Sequence, residues 1–67
     1  MTSENTDQIS CWYNGELNYW LEYEWDKTIG MHKYSIAGED GYFQNGYIGN
    51  QALDKLLATG WYSLGYL

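Results

Sequence analysis

Residues 9–25 read ISCWYNGELNYWLEYEW, and the fold turns on this stretch. Asn14-Gly15 stands between two runs in which apolar and polar residues alternate. Asn-Gly between such runs is the strongest short-range hairpin signal, because both central residues of a type I′ turn take φ > 0. The spacing predicts a strand over residues 9–13, a two-residue turn, and a long strand over 16–25. That register sets Tyr13 opposite Glu16, Trp12 opposite Leu17 and Cys11 opposite Asn18. Side chains alternate faces along a strand. Leu17, Tyr19, Leu21, Tyr23 and Trp25 therefore share one face with Trp12, the expected core face. Glu16, Asn18, Trp20, Glu22, Glu24 and Asp26 share the other, with Ile9, Cys11 and Tyr13 beside them. This outer face is acidic at one end and aromatic at the other.

Working outward, alternation predicts a third strand over 31–36, with His32, Tyr34 and Ile36 on one side. A turn over 38–41 leads to a short strand over 42–44. A second Asn-Gly, Asn45-Gly46, predicts another turn into Tyr47-Ile48. A helix is expected over 51–59, with Asn50 as its N-cap and Gly60 just past its end. Ala52, Leu53, Leu56 and Leu57 form its apolar stripe. At this length it is stable only when packed on the sheet. Residues 61–67 read as a last strand, with Tyr62, Leu64 and Tyr66 on one face. The order β-β-β-(β)-α-β is α+β: an antiparallel sheet of about four to five strands with one short helix on one face. Residues 1–7 are polar and acidic and read as a flexible arm; residues 8–67 form the single domain.

The chain has 67 residues, enough for one domain that buries only about 60% of its unfolded surface. Cys11 is the only cysteine, so no internal disulfide is available. One Cys and one His fall short of a structural zinc site. The compensation lies in four Trp, eight Tyr and one Phe, or in self-association. Nine acidic residues face three lysines, a formal charge of −6. That balance argues against direct binding to nucleic acid or to an anionic membrane, and favours a basic partner. No run is long and apolar enough to span a membrane, and the first residues lack a basic n-region and an apolar h-region. The expectation is a cytoplasmic protein with a free thiol, and the initial Met suits a complete small gene product.

Catalytic constellations are sparse. His32 is the only histidine and reads as a partly buried strand residue rather than a general base. Cys11 reads as a small hydrophobe, since reactive thiols need electropositive surroundings. Glu22 and Glu24 lie one strand repeat apart, roughly 6.5–7 Å, near the carboxylate separation of inverting glycosidases. They sit on an open face without protein to build a cleft around a sugar. Gly38-Glu39-Asp40-Gly41 and Asp26 offer oxygen ligands but not the spacing of an EF-hand loop. No glycine loop is followed by the lysine of a P-loop. The expectation is a non-enzymatic protein without cofactor or metal.

The acidic stripe carries the functional reading. Glu16, Glu22, Glu24 and Asp26 put like charges on one strand face, with Trp20 among them. Solvation explains the acids, but a large aromatic on an exposed face is what binding surfaces show. Acids at alternate strand positions repeat every ~6.5–7 Å. Such a row can present charge to a basic groove much as a phosphate backbone does. Glu39 and Asp40 are secondary candidates. The sequence thus reads as a small inhibitor of a basic, nucleic-acid-binding surface. By size and charge alone this is analogous to phage anti-CRISPR and anti-restriction proteins. The alternatives are a carbohydrate or small-ligand module using Trp12, Trp20, Trp61 and the Tyr42–Tyr47 turn, a toxin-neutralising immunity protein, and a homo-oligomeric structural subunit.

Overall fold

A computed structural model describes residues 8–67; the arm expected at residues 1–7 lies outside the described residues. The elements follow as β1 (Ser10–Asn14), β2 (Tyr19–Asp26), β3 (Met31–Gly38), β4 (Phe43–Ile48), α1 (Asn50–Leu57) and β5 (Trp61–Tyr66). The strands form one sheet in the order β4-β3-β2-β1-β5, and every neighbouring pair is antiparallel. The first four strands are a meander. The chain then crosses through α1 to lay β5 against the far side of β1. The expected α+β architecture is the observed one.

The first hairpin has a different register from the one the Asn-Gly signal predicts. Asn14 pairs with Tyr19, Trp12 with Leu21, and Cys11 with Glu22. The connection is the four residues 15–18. The reason is the buried side chain of Asn14. Its Oδ1 accepts the backbone N–H of Glu16 at 3.0 Å and of Leu17 at 3.1 Å. The left-handed residue is Asn18, at φ 56°, not Asn14 or Gly15. Asn14 closes the loop as an Asx turn, so a two-residue turn is not needed. Trp12's partner moves from Leu17 to Leu21, an even shift, so each strand residue keeps its expected face. Leu17 leaves the core face for an exposed loop, and Glu16 leaves the strand. The β2–β3 connection repeats the device. Asp26 Oδ1 accepts from Thr28 N at 3.0 Å and Ile29 N at 3.3 Å, and Gly30 takes the left-handed position at φ 79°.

Asn45-Gly46 is not a turn; both residues lie inside β4, opposite Ser35 and Tyr34. Gly46 lies against the Tyr34 ring, whose Cε1 is 3.5 Å from where a Cβ would stand, an ordinary van der Waals distance. The turn is made by residues 39–42, where Tyr42 N donates to Asp40 Oδ1 at 3.0 Å and Gly38 N to Tyr42 O at 2.7 Å. β3 therefore runs on to Gly38, opposite Tyr19. The Tyr19 ring crosses this glycine and stacks on Tyr42 at 4.9 Å.

α1 begins one residue earlier than expected, with Gly49 rather than Asn50 at the N-cap and no side-chain cap. The Asn50 Oδ1 instead meets His32 Nε2 at 2.7 Å. Leu53 is buried and Leu56 and Leu57 are half-buried, whereas Ala52, expected on the stripe, is exposed. The helix also stops two residues short of the expected 59, at Leu57 with Ala58 as its C-cap, and Gly60, at φ 74°, closes the turn 58–60 that follows. Leu21, Ile36 and Leu53 are the buried centre, ringed by Trp12, Tyr23, Tyr34 and Trp61. Each such burial is worth about 1.5–3 kcal/mol. Trp25 shares this face but stays substantially exposed at its far end, packed edge-on against His32 at 5.0 Å. In β5 a bulge falls between the partners of Cys11 and Trp12. It separates residues expected to share a face: Tyr62 pairs with Tyr13 on the open side, and Tyr66 with Ser10 on the helix side.

Candidate functional site

α1 packs on one face of the sheet, and among the described residues nothing covers the other. The register arranges that open face in rows across the strands. One row runs through all five strands: Phe43, Ala37, Trp20, Tyr13 and Tyr62. Trp20 and Tyr13 are in ring contact at 5.2 Å and 44°. Trp20 is still 41% exposed, Phe43 63% and Tyr62 66%. The next row is polar: Asn45, Ser35, Glu22 and Cys11. Beyond it lie Tyr47, Lys33 and Glu24. An aromatic band thus borders an acidic patch that contains one lysine.

The structure places Trp20, Glu22, Glu24 and Asp26 on one side of β2, as their spacing predicts. Their surroundings differ. Glu22 is exposed, opposite Cys11 on one side and Ser35 on the other. The Cys11 thiol is pushed above its ordinary pKa, first by burial and then by the Glu22 charge. Glu24 is half-buried and faces Lys33 across the strands. Asp26 has an oxygen committed to the loop that follows it. Glu16 lies off the row, in loop 15–18; its Oε1 is 3.2 Å from where a Cβ of Gly60 would stand, which draws it toward the helix side. Glu39 and Asp40 sit in loop 39–42, where Glu39 N donates to Asn18 O at 3.2 Å and joins the two loops. The continuous charge on the open face is therefore Glu22 with Glu24.

Sequence reading missed the cross-strand partners Ala37, Phe43, Lys33 and Tyr62. Alternation in residues 43–48 carries the signal for β4, but Asn45-Gly46 masks it as a turn. His32 is the partly buried strand residue expected. It lies edge-on to Tyr23 at 5.4 Å, its Nε2 is bonded to Asn50, and its buried Nδ1 has no partner. Among the described residues no group of three His, Cys, Asp or Glu side chains could hold a metal ion. None of the described helices is long and apolar enough to cross a membrane.

A concavity of about 530 Å³ opens between the end of α1 and the sheet. Its apolar wall includes Leu17, Tyr19, Tyr42, Leu56 and Trp61, and Glu16 and Lys55 also line it. Models of known families, curated proteins and solved structures all fail to match this chain.

Proposed function

We propose that the protein is a non-enzymatic inhibitor that lays its open sheet face on the basic, nucleic-acid-binding surface of a larger protein. The observation that supports this most is the row of four aromatics, from every strand but β3, beside Glu22 and Glu24 on an uncovered face. Trp20 and Tyr13 supply rigid apolar contact at low entropic cost, the pattern of interface anchors. The two carboxylates, within a chain of net charge −6, steer a basic partner to that anchor. In this reading two adjacent carboxylates meet the groove, and the aromatic row takes the place of the other acids.

The test is affinity capture from a host lysate at low and high salt, with the wild type, the Glu22→Lys/Glu24→Lys double variant and Trp20→Ala. Trp20 and Glu22 are exposed and Glu24 is half-buried on the uncovered face, so none of the three changes enters the buried centre. A basic partner should be captured at low salt, be displaced by added nucleic acid, and be lost with both variants. An unchanged set of captured proteins would refute the reading.

The 530 Å³ concavity supports a second reading, a small-ligand module, because a volume of this size with aromatic walls and few polar groups suits a ligand pocket. Perturbation of Tyr42 and Trp61 NMR signals by glycans would favour it; perturbation confined to Trp20 would not.

A further inference from the structure

β5 is an edge strand, hydrogen-bonded within the sheet to β1 alone. Natural edges are commonly blunted by lysine, proline or inward charge. Residues 61–67, WYSLGYL, contain no charged residue and no proline. The neighbouring β1 is also uncharged. Tyr62 is 66% exposed, Leu64 59% and Tyr66 69%, and Leu67 is more open still. Four of the large apolar side chains that the described residues leave in solvent thus sit on one neutral edge.

We propose that this edge is a self-association site, where β5 pairs antiparallel with β5 of a second copy about a two-fold axis. Charge confines a second copy to an uncharged edge, and exposed apolar surface then selects β5, because β4, FQNGYI, is uncharged too. Two chains of −6 repel over most approaches, but along β5 no like charges are brought opposite one another. The other edge, β4, exposes fewer large apolar side chains, chiefly Phe43 and Tyr47. Direction decides the symmetry. β4 and β5 run the same way in the sheet, so joining β5 to β4 of a second copy is open-ended, and parallel when the open faces stay on one side. Joining β5 to β5 is antiparallel and closes as a dimer. The dimer has one continuous ten-stranded sheet, twice the five strands of one chain. Its two open faces lie on the same side.

The area sets the strength. Two tyrosines about two-thirds exposed and two leucines offer roughly 400–500 Å² per copy, or about 900 Å² in total, below the ~1,200 Å² of standard interfaces. The bulge at Leu64 shortens the flat run available for pairing. The dimer is therefore weak, forming in the micromolar range.

Sedimentation equilibrium of the full chain reads the association directly. Mass should rise from one chain to two between about 1 μM and 1 mM. Leu64→Lys, at an exposed side chain, should hold the protein at one chain throughout, whereas Phe43→Lys on the opposite edge should leave the dimer intact. Hydrogen exchange of the unaltered chain gives a reading free of any folding defect: amides in residues 61–67 should slow with concentration and those in 43–48 should not. A monomer at every concentration overturns the proposal. So does assembly beyond two chains, association that survives Leu64→Lys, or loss of association in Phe43→Lys.

Discussion

Replacing Asn14 by Ala should destabilise the protein by roughly 2–3 kcal/mol, more than any other single polar change in the fold. Asn14 is the one buried polar residue among those described, at 3% exposure. Its Oδ1 accepts two backbone N–H groups, and its Nδ2 donates to Thr59 O at 3.3 Å. Each such bond is worth a net ~0.5–1.5 kcal/mol, and the long one to Thr59 falls at the low end. Glu16, Leu17 and Thr59 are exposed, so water can serve the groups that lose their partner, which keeps the loss near the sum of net values. A domain of this size holds roughly 3–10 kcal/mol in all, so the midpoint of thermal unfolding should fall by about 10–20 °C. Asn14→Asp separates the two halves of the side chain. It keeps the acceptor that closes loop 15–18 and loses only the long bond to Thr59, so a smaller loss of about 0.5–1 kcal/mol is expected. Thermal and urea unfolding followed by circular dichroism measures both. A loss under about 0.5 kcal/mol for the alanine variant, or equal losses for the two variants, would refute the role given to the acceptor.

Leu21→Ala removes the one fully buried large side chain among the described residues, flanked by Trp12 and Ile36 across the strands, and should cost about 3–4 kcal/mol in urea titrations. Retention of the wild-type midpoint would show that Leu21 is not central to the core. Gly38→Ala puts a Cβ within 2.7 Å of the Tyr19 ring and of Asp40 Oδ1, and should cost about 1–3 kcal/mol. It should also perturb the Tyr19–Tyr42 stack in near-ultraviolet circular dichroism; an unchanged spectrum would count against the close approach. Burial, and then the Glu22 charge, raise the folded pKa of Cys11 above the ordinary thiol value. The folded state therefore holds this proton more tightly, and the thiol's contribution to stability is full below the ordinary value and is lost as pH rises through the raised one. Iodoacetamide should alkylate folded protein more slowly than unfolded chain near pH 9, and Glu22→Gln should narrow the gap; identical profiles would sink the assignment.

The fold class, the strand count and the two faces of β2 were legible because period-two alternation over residues 19–26 is long enough to be unambiguous. The facing survived a wrong register because the displacement was even. The register itself was not legible. Asn14-Gly15 resembles a type I′ pair in sequence, and only the burial of Asn14 beneath Gly60 and Thr59 makes its side chain the element that closes the turn. Asn45-Gly46 misled for the opposite reason. Turn propensity is a local preference, and the ladder with β3 together with the Tyr34 ring over Gly46 outweighs it. The bulge in β5 left no mark that alternation could reveal. At the site, Trp20 beside the acids was readable from one strand, whereas the band through Phe43, Ala37, Tyr13 and Tyr62 exists only across strands and had to wait for the register.

The position of β5 also sets an order of assembly. β1 to β4 join through short local connections, so a four-stranded meander can zip up early. β5 follows all of them in the chain, yet must add beside β1, the first strand made. Until it does, the edge of β1 stands open, and Asn14 holds loop 15–18 but lacks its third bond, to Thr59. The Asn14–Thr59 bond spans 45 residues and is made only when that late segment arrives. Asn14 is thus a latch between the earliest turn and the final strand. The slow step of folding should be the docking of β5, with its rate falling when residue 14 is changed and hardly moving when loop 27–30 is.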